Sequence, residues 1–108
     1  MPTISKQNNF LTLINVFTVE PHLQNNLVEL LIKATDGNVN KIKGFISASL
    51  HKSLDGTKVT MYAQWENRED YENMRANASA SPFLEEALKF ASFEPGMYTV
   101  VETFLPEQ

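Results

Sequence analysis

The sequence predicts an α+β sandwich: one antiparallel four-stranded sheet with its helices on one face. Three observations carry that reading. The chain alternates as strand, helix, strand, strand, a helix in two pieces, and strand. Asp55-Gly56 joins the two middle strands in a tight turn, because glycine takes positive φ without a Cβ clash and aspartate accepts bonds from nearby amides. The 108 residues suit one domain, so both strand-helix-strand halves share one core. Two split βαβ units around a hairpin make the arrangement ferredoxin-like.

Residues 1–9 are polar and are expected to form a flexible arm; 10–105 form the domain and 106–108 a tail. Phe10 to Val19 is the first strand. Leu11, Leu13, Asn15, Phe17 and Val19 share one face, and Thr12, Ile14, Val16 and Thr18 the other. Both faces are largely apolar, as in a strand covered on both sides. Asn15 stands out, because an amide in an apolar row needs a partner or a ligand. Pro21 opens a helix, where its missing N–H costs nothing. Leu23, Leu27, Leu30, Leu31 and Ala34 form one stripe of that helix. Asp36-Gly37-Asn38 ends it.

Gly44 to Glu66 is the hairpin. Val59, Met61, Ala63 and Trp65 alternate with Lys58, Thr60, Tyr62 and Gln64, so the only tryptophan closes an apolar face. Asn67 caps the second helix, with Asp70 as a capping-box partner. Tyr71, Met74 and Ala78 lie along one side, and Ser79-Ala80-Ser81-Pro82 breaks the helix. Ser81 then caps a third helical segment with Pro82 at its first position. Phe83, Leu84, Ala87 and Leu88 form its apolar side. Glu94-Pro95-Gly96 is a turn, and Met97 to Leu105 the last strand. The sheet face away from the helices would carry Ile14, Val16, Val100 and Phe104. Burying that face against a second copy predicts a homodimer built as a dimeric α+β barrel.

Composition excludes several classes of function. The net charge is −4 and the nine basic residues are scattered, so no basic patch exists to neutralise phosphates of a nucleic acid or a membrane surface. With no cysteine there is no disulfide, thiolate metal site or cysteine nucleophile. No signal peptide and no apolar run near the roughly 20 residues of a membrane span is present, so a cytoplasmic protein is expected. His22 and His51 sit in different elements without a carboxylate at ligand spacing, so no metal site is expected. A Ser-His-Asp set drawn from Ser47, Ser49, His51 and Asp55 is what any serine-bearing strand offers.

The remaining constellation is Asn15, Trp65 and Tyr71. If the first and third strands are neighbours, Asn15 and Trp65 share the helix-facing side and Tyr71 begins the helix above them. An aromatic wall, an amide and a phenol around one apolar cavity suit a flat ring carrying hydroxyl or carbonyl groups. The same residues also fit plain packing, with Trp65 as core and Asn15 bonded to a loop.

The runs Leu13-Ile14-Asn15-Val16-Phe17, Gly44-Phe45, Ser53-Leu54-Asp55-Gly56-Thr57 and Tyr62-Ala63-Gln64-Trp65 resemble the antibiotic biosynthesis monooxygenase family. The resemblance spans roughly residues 10–105. It implies a dimeric α+β barrel and oxygenation of polycyclic phenols, hydroquinones or anthrones by O2 without metal or flavin; other members degrade haem. Haem-degrading members use a first-strand asparagine and a third-strand tryptophan, matched by Asn15 and Trp65, plus an iron-binding histidine on the late helix. No histidine occurs in 81–87 here. Quinol-oxidising members often carry Ser-Pro-His-Phe at this place, whereas Pro82 is followed directly by Phe83. Quinone-forming members use a tryptophan and a tyrosine six residues later, matched by Trp65 and Tyr71; their asparagine four residues before the tryptophan is Met61 here.

On that resemblance Trp65 packs against the substrate ring, Asn15 bonds a substrate oxygen, and Tyr71 orients it or relays a proton. Phe17, Met61, Phe83 and His51 are the further candidates for substrate contact. His51 reaches the cavity only if the row Phe45, Ser47, Ser49, His51 faces the helices; otherwise it is a surface residue. No cofactor is expected, and the expected partners are a small aromatic substrate, O2 and a second copy of the chain. The alternative is a non-catalytic small-molecule-binding dimer on the same scaffold. Buried Trp65 beside a dry cavity favours the enzyme; a cavity filled by Met61, Phe83 and Leu88 favours the binding protein.

Overall fold

Strand β1 (Leu11–Val19) occupies the middle of the sheet, and every other part of the fold is placed against it. The computed structural model of the chain describes residues 10–76 and 81–107. The expected arm over 1–9, Ala78, and the helix break at Ser79-Ala80 lie outside the described residues. β1 pairs antiparallel with β3 (Lys58–Trp65), which pairs with β2 (Phe45–Lys52). On its other edge β1 takes β4 (Ala91–Glu94) and β5 (Met97–Tyr98). The order β2-β3-β1-β4 is that of a ferredoxin-like sheet.

The hairpin turn forms as its residues dictate. Gly56 has φ +83, and Asp55 Oδ1 accepts from the Thr57 amide at 3.0 Å, the Thr57 hydroxyl at 2.7 Å and the Ser53 hydroxyl at 2.8 Å. Pro21 opens a 3-10 turn (Pro21–Leu23) that runs into helix α1 (Gln24–Thr35). Leu27, Leu31 and Ala34 of its stripe are buried. Gln24 Nε2 donates to the Ser53 carbonyl at 3.1 Å and the Lys58 carbonyl at 3.0 Å, tying α1 to the base of the hairpin. Helix α2 (Arg68–Ala76) carries the expected cap: the Asp70 amide donates to Asn67 Oδ1 at 2.8 Å, and Asn67 Nδ2 donates back to Asp70 Oδ2 at 3.2 Å. Helix α3 (Ser81–Leu88) packs on α1 through Ala87. Gly44 has φ +93, and a Cβ there would run into the Asp70 side chain. Glycine therefore lets the first turn of α2 lie directly on the start of β2.

The last strand differs from its expected place at Met97 to Leu105. The ladder on β1 begins at Ala91 and runs from Val19↔Ala91 to Thr12↔Tyr98 without losing step. Phe93 anchors it early by stacking on Phe17, with ring centroids 4.7 Å apart and planes at 25°. Pro95 has no N–H for the ladder, which divides the strand in two. From Thr99 to Glu107 no strand forms, and Val101, Phe104 and Leu105 are 84%, 88% and 90% exposed. Val100 and Phe104 thus do not belong to the open sheet face.

Among the described residues, the buried apolar side chains fall into two clusters on the helix face. One is centred on Leu27, Val59 and Ala87, between α1, α3 and the sheet. The other is centred on Leu13, Ala63, Trp65 and Tyr71, beneath α2.

Candidate active site

A cavity of about 120 Å³ lies between the two clusters. Its floor is built by period-two alternation: Leu13, Asn15 and Phe17 come from β1, and Met61, Ala63 and Trp65 from β3. The β1–β3 register sets Asn15 opposite Met61 and Leu11 opposite Trp65. Helix α2 supplies Tyr71, Met74 and Arg75 from above, while Leu84 of α3 and Phe93 of β4 close the far side.

Trp65 is 1% exposed and Tyr71 3% exposed. Their rings meet edge to face at 5.9 Å, and Phe45 meets Trp65 edge to face at 5.6 Å. Such aromatic pairs hold each ring in one orientation as well as burying it. Asn15 finds a backbone partner: its Oδ1 accepts from the Gly96 amide at 3.4 Å, which is the donor left at the interruption beside Pro95. No other side-chain hydrogen bond of Asn15 is made among the described residues, so its Nδ2 donors remain available on the cavity wall. Phe17 and Met61 both line the cavity.

Two expected contacts lie elsewhere. His51 is exposed on the opposite face of the sheet, where its Nε2 is 2.9 Å from Ser49 Oγ. A β-bulge causes this. Phe45 pairs with Trp65, but Ser47 pairs with Gln64, so Ile46 is an extra residue and everything after it turns over. Phe45 faces the cavity, while Ser47, Ser49 and His51 face away and Ala48 takes the inward place. Phe83 is half-buried and outside the cavity lining, where its neighbour Leu84 takes the position. Leu88 is 43% exposed and does not fill the cavity either.

Among the lining residues that the sequence reading did not single out, Phe93 and Arg75 matter most. Phe93 was hidden by the misplaced last strand, although Phe93 and Ala91 alternate as a strand should. Arg75 lies one helical turn after Tyr71, and that i,i+4 spacing was the available signal. Its Nη1 donates to the Tyr71 hydroxyl at 2.8 Å. Its guanidinium carbon lies 5.9 Å from the Tyr71 ring centre and 5.7 Å from that of Phe93. Among the described residues the cavity wall thus offers an amide, a phenol, the Thr35 hydroxyl and one cation in an aromatic frame, and no carboxylate or imidazole. Nor is any group of three His, Asp or Glu side chains placed to hold a metal ion.

The antibiotic biosynthesis monooxygenase family matches residues 10–86. The chain belongs to that family. Tetracenomycin-F1 monooxygenase of Streptomyces glaucescens is 34% identical over 104 residues, spanning 96% of this chain and 93% of that one. Among solved structures, a monooxygenase from the gene ActVA-Orf6 of Streptomyces coelicolor, in complex with nanaomycin D, matches with a TM-score of 0.73 and 29% identity over 91% of this chain and 93% of the other. SnoaB, a cofactor-independent oxygenase from Streptomyces nogalater, matches with a TM-score of 0.72 over 91% of this chain and 98% of its own, and its 21% identity speaks for the fold alone. The fold of sheet and helices is thus the one these structures share. Among the described residues, no helix is long and apolar enough to cross a membrane.

Proposed function

We propose that this chain is a cofactor-independent monooxygenase that oxidises an aromatic phenol, hydroquinone or anthrone with O2. The observation that carries the reading is the cavity itself: Trp65 and Tyr71 are buried at its wall, and neither Phe83 nor Leu88 fills it. The monooxygenase activity of its relatives supports the same class of reaction.

The chemistry needs little from the protein. Ground-state O2 is a triplet, and its direct reaction with a closed-shell molecule is slow. A phenolate or enolate is electron-rich enough to give O2 one electron, after which radical and superoxide combine to a hydroperoxide. Loss of water from that adduct leaves a new carbonyl, so a ring CH2 and O2 become C=O and H2O. The protein binds the ring, favours the anion and excludes bulk water. Trp65 packs on the ring, Asn15 Nδ2 donates to a substrate oxygen, and Tyr71 orients the substrate or relays a proton. Phe17 and Met61 set the width of the slot.

The protein is proposed to work in the cytoplasm as a homodimer. Half-buried Ile14, Val16 and Tyr62 on the open sheet face and exposed Val101, Phe104 and Leu105 give a second copy apolar surface to bury. One observation favours a binding protein instead: apolar Met61 stands opposite Asn15, narrowing the polar part of the cavity.

Oxygen uptake by metal-stripped protein, given a panel of anthrones, naphthols and hydroquinones, separates the two. The enzyme reading expects uptake above the spontaneous rate, lowered in Trp65→Phe and by about 100-fold in Tyr71→Phe if the phenol moves a proton. No uptake across the panel, with a ligand that still raises the melting temperature, overturns it in favour of binding alone.

A further inference from the structure

We propose that Arg75 is the residue that holds the bound substrate as an oxyanion, and that the site selects rings whose hydroxyl ionises easily. This rests on the oxygenase reading above, since that chemistry starts from an anion. Among the described residues Arg75 is the one cation on the cavity wall, and no carboxylate or imidazole joins it there. The wall therefore has no strong base to take a ring proton. It can only make the ionised form cheaper to hold, with the proton leaving to solvent.

The geometry suits that role. Arg75 is exposed yet lines the cavity, which puts it at the mouth. One N–H is spent on the Tyr71 hydroxyl at 2.8 Å, and the guanidinium carbon lies 5.9 Å from the Tyr71 ring centre and 5.7 Å from that of Phe93, which places the group between α2 and β4. Guanidinium carries five donors in a rigid fork. Among the described residues no salt bridge to a carboxylate uses them: Glu72 on the same helix pairs with Arg68 at 3.0 Å. The positive charge thus borders the apolar space from its mouth, where solvent screens it on the outer side and a bound oxyanion can take a charge-assisted hydrogen bond on the inner one. Tyr71, fixed by Arg75, would present its own O–H to the same oxygen. The favoured substrate class follows: a ring hydroxyl conjugated with a carbonyl, whose anion is already delocalised.

Binding of alizarin tests this without turnover. It is an oxidised hydroxyanthraquinone whose yellow neutral form turns red-violet on losing a proton, so the bound dye reports its own ionisation. With the wild-type chain, the midpoint of that colour change is expected about one pH unit below that of the free dye. Arg75→Lys should keep most of the shift. Arg75→Gln should abolish it and move the midpoint to the free value or above, because an apolar cavity without a cation opposes the anion. Arg75 is exposed on a helix, and circular dichroism is expected to show all three proteins folded. Equal midpoints in wild type and Arg75→Gln overturn the role of Arg75 alone and leave the oxygenase reading standing. A wild-type protein that binds neither form of the dye overturns both.

Discussion

The two ends of the helix face are made of different material. At one end Leu27, Val59 and Ala87 are fully buried at 0% exposure, and mostly aliphatic chains from α1, α3 and the sheet fill the space around them, with the Phe17–Phe93 stack on the cavity side. At the other, aromatic Trp65, Tyr71 and Phe45 meet edge to face, and a cavity remains beside them. Aliphatic side chains interdigitate to crystal-like density at the first end, whereas beside the edge-to-face rings a slot stays unfilled. The comparison teaches that stability and ligand binding are divided along the same sheet. The filled end supplies the packing energy, and the slotted end gives some of it up to keep a ring-shaped space.

The division is broken most directly by large-to-small substitution at each end. Leu27→Ala is expected to cost about 3 kcal/mol, a fall in melting temperature of about 15 °C. Met61→Ala, a half-buried residue already beside open space, is expected to cost only about 1 kcal/mol and to enlarge the slot. Equal losses measured by urea unfolding would erase the distinction between the two ends.

Gly44 sharpens the comparison at the slotted end alone. Alanine there meets both an unfavourable φ of +93 and the Asp70 side chain. Gly44→Ala should cost about 2 kcal/mol and loosen the first turn of α2, which holds Tyr71. Faster amide exchange around Asp70 with unchanged protection in α1 is the expected pattern. Loss of protection in both helices would mean that the ends do not behave separately.

The smallest effect is at Asp55, outside both clusters. The Thr57 backbone amide, then the Thr57 and Ser53 hydroxyls, lower its carboxyl from 3.8 to about 2. A depressed carboxylate pKa means that its contribution to stability is complete above 3.8 and is lost as pH falls through about 2. Asp55→Asn should therefore melt slightly below wild type at neutral pH, and the gap should close across that window. A gap that persists at the acid end would show that the turn does not depend on the charge.

Much of the site was legible because it follows from alternation. Once β1 and β3 are neighbours, Asn15, Phe17, Met61 and Trp65 must share a face, and a helix capped by Asn67 must bring Tyr71 over them. His51 was not legible. Its row begins correctly at Phe45, and the one extra residue at Ile46 reverses it. Phe83 and Leu84 are adjacent on one helix, and only the packing of α3 against α1 chooses which of them faces the cavity.

The sequence by itself determined the order of elements, the turn at Asp55-Gly56, the Asn67 cap of α2, and the apolar face that Trp65 closes. These depend on the φ preferences of glycine and proline, on short side-chain-to-backbone bonds and on periodicity, all of which act within a few residues. Only the tertiary structure decided where the last strand starts, which face His51 takes, and that Arg75 meets Tyr71 and Phe93 at the mouth of the cavity. Each of those depends on pairing between segments far apart in the chain, where a register step or a helix rotation moves a side chain from one surface to another.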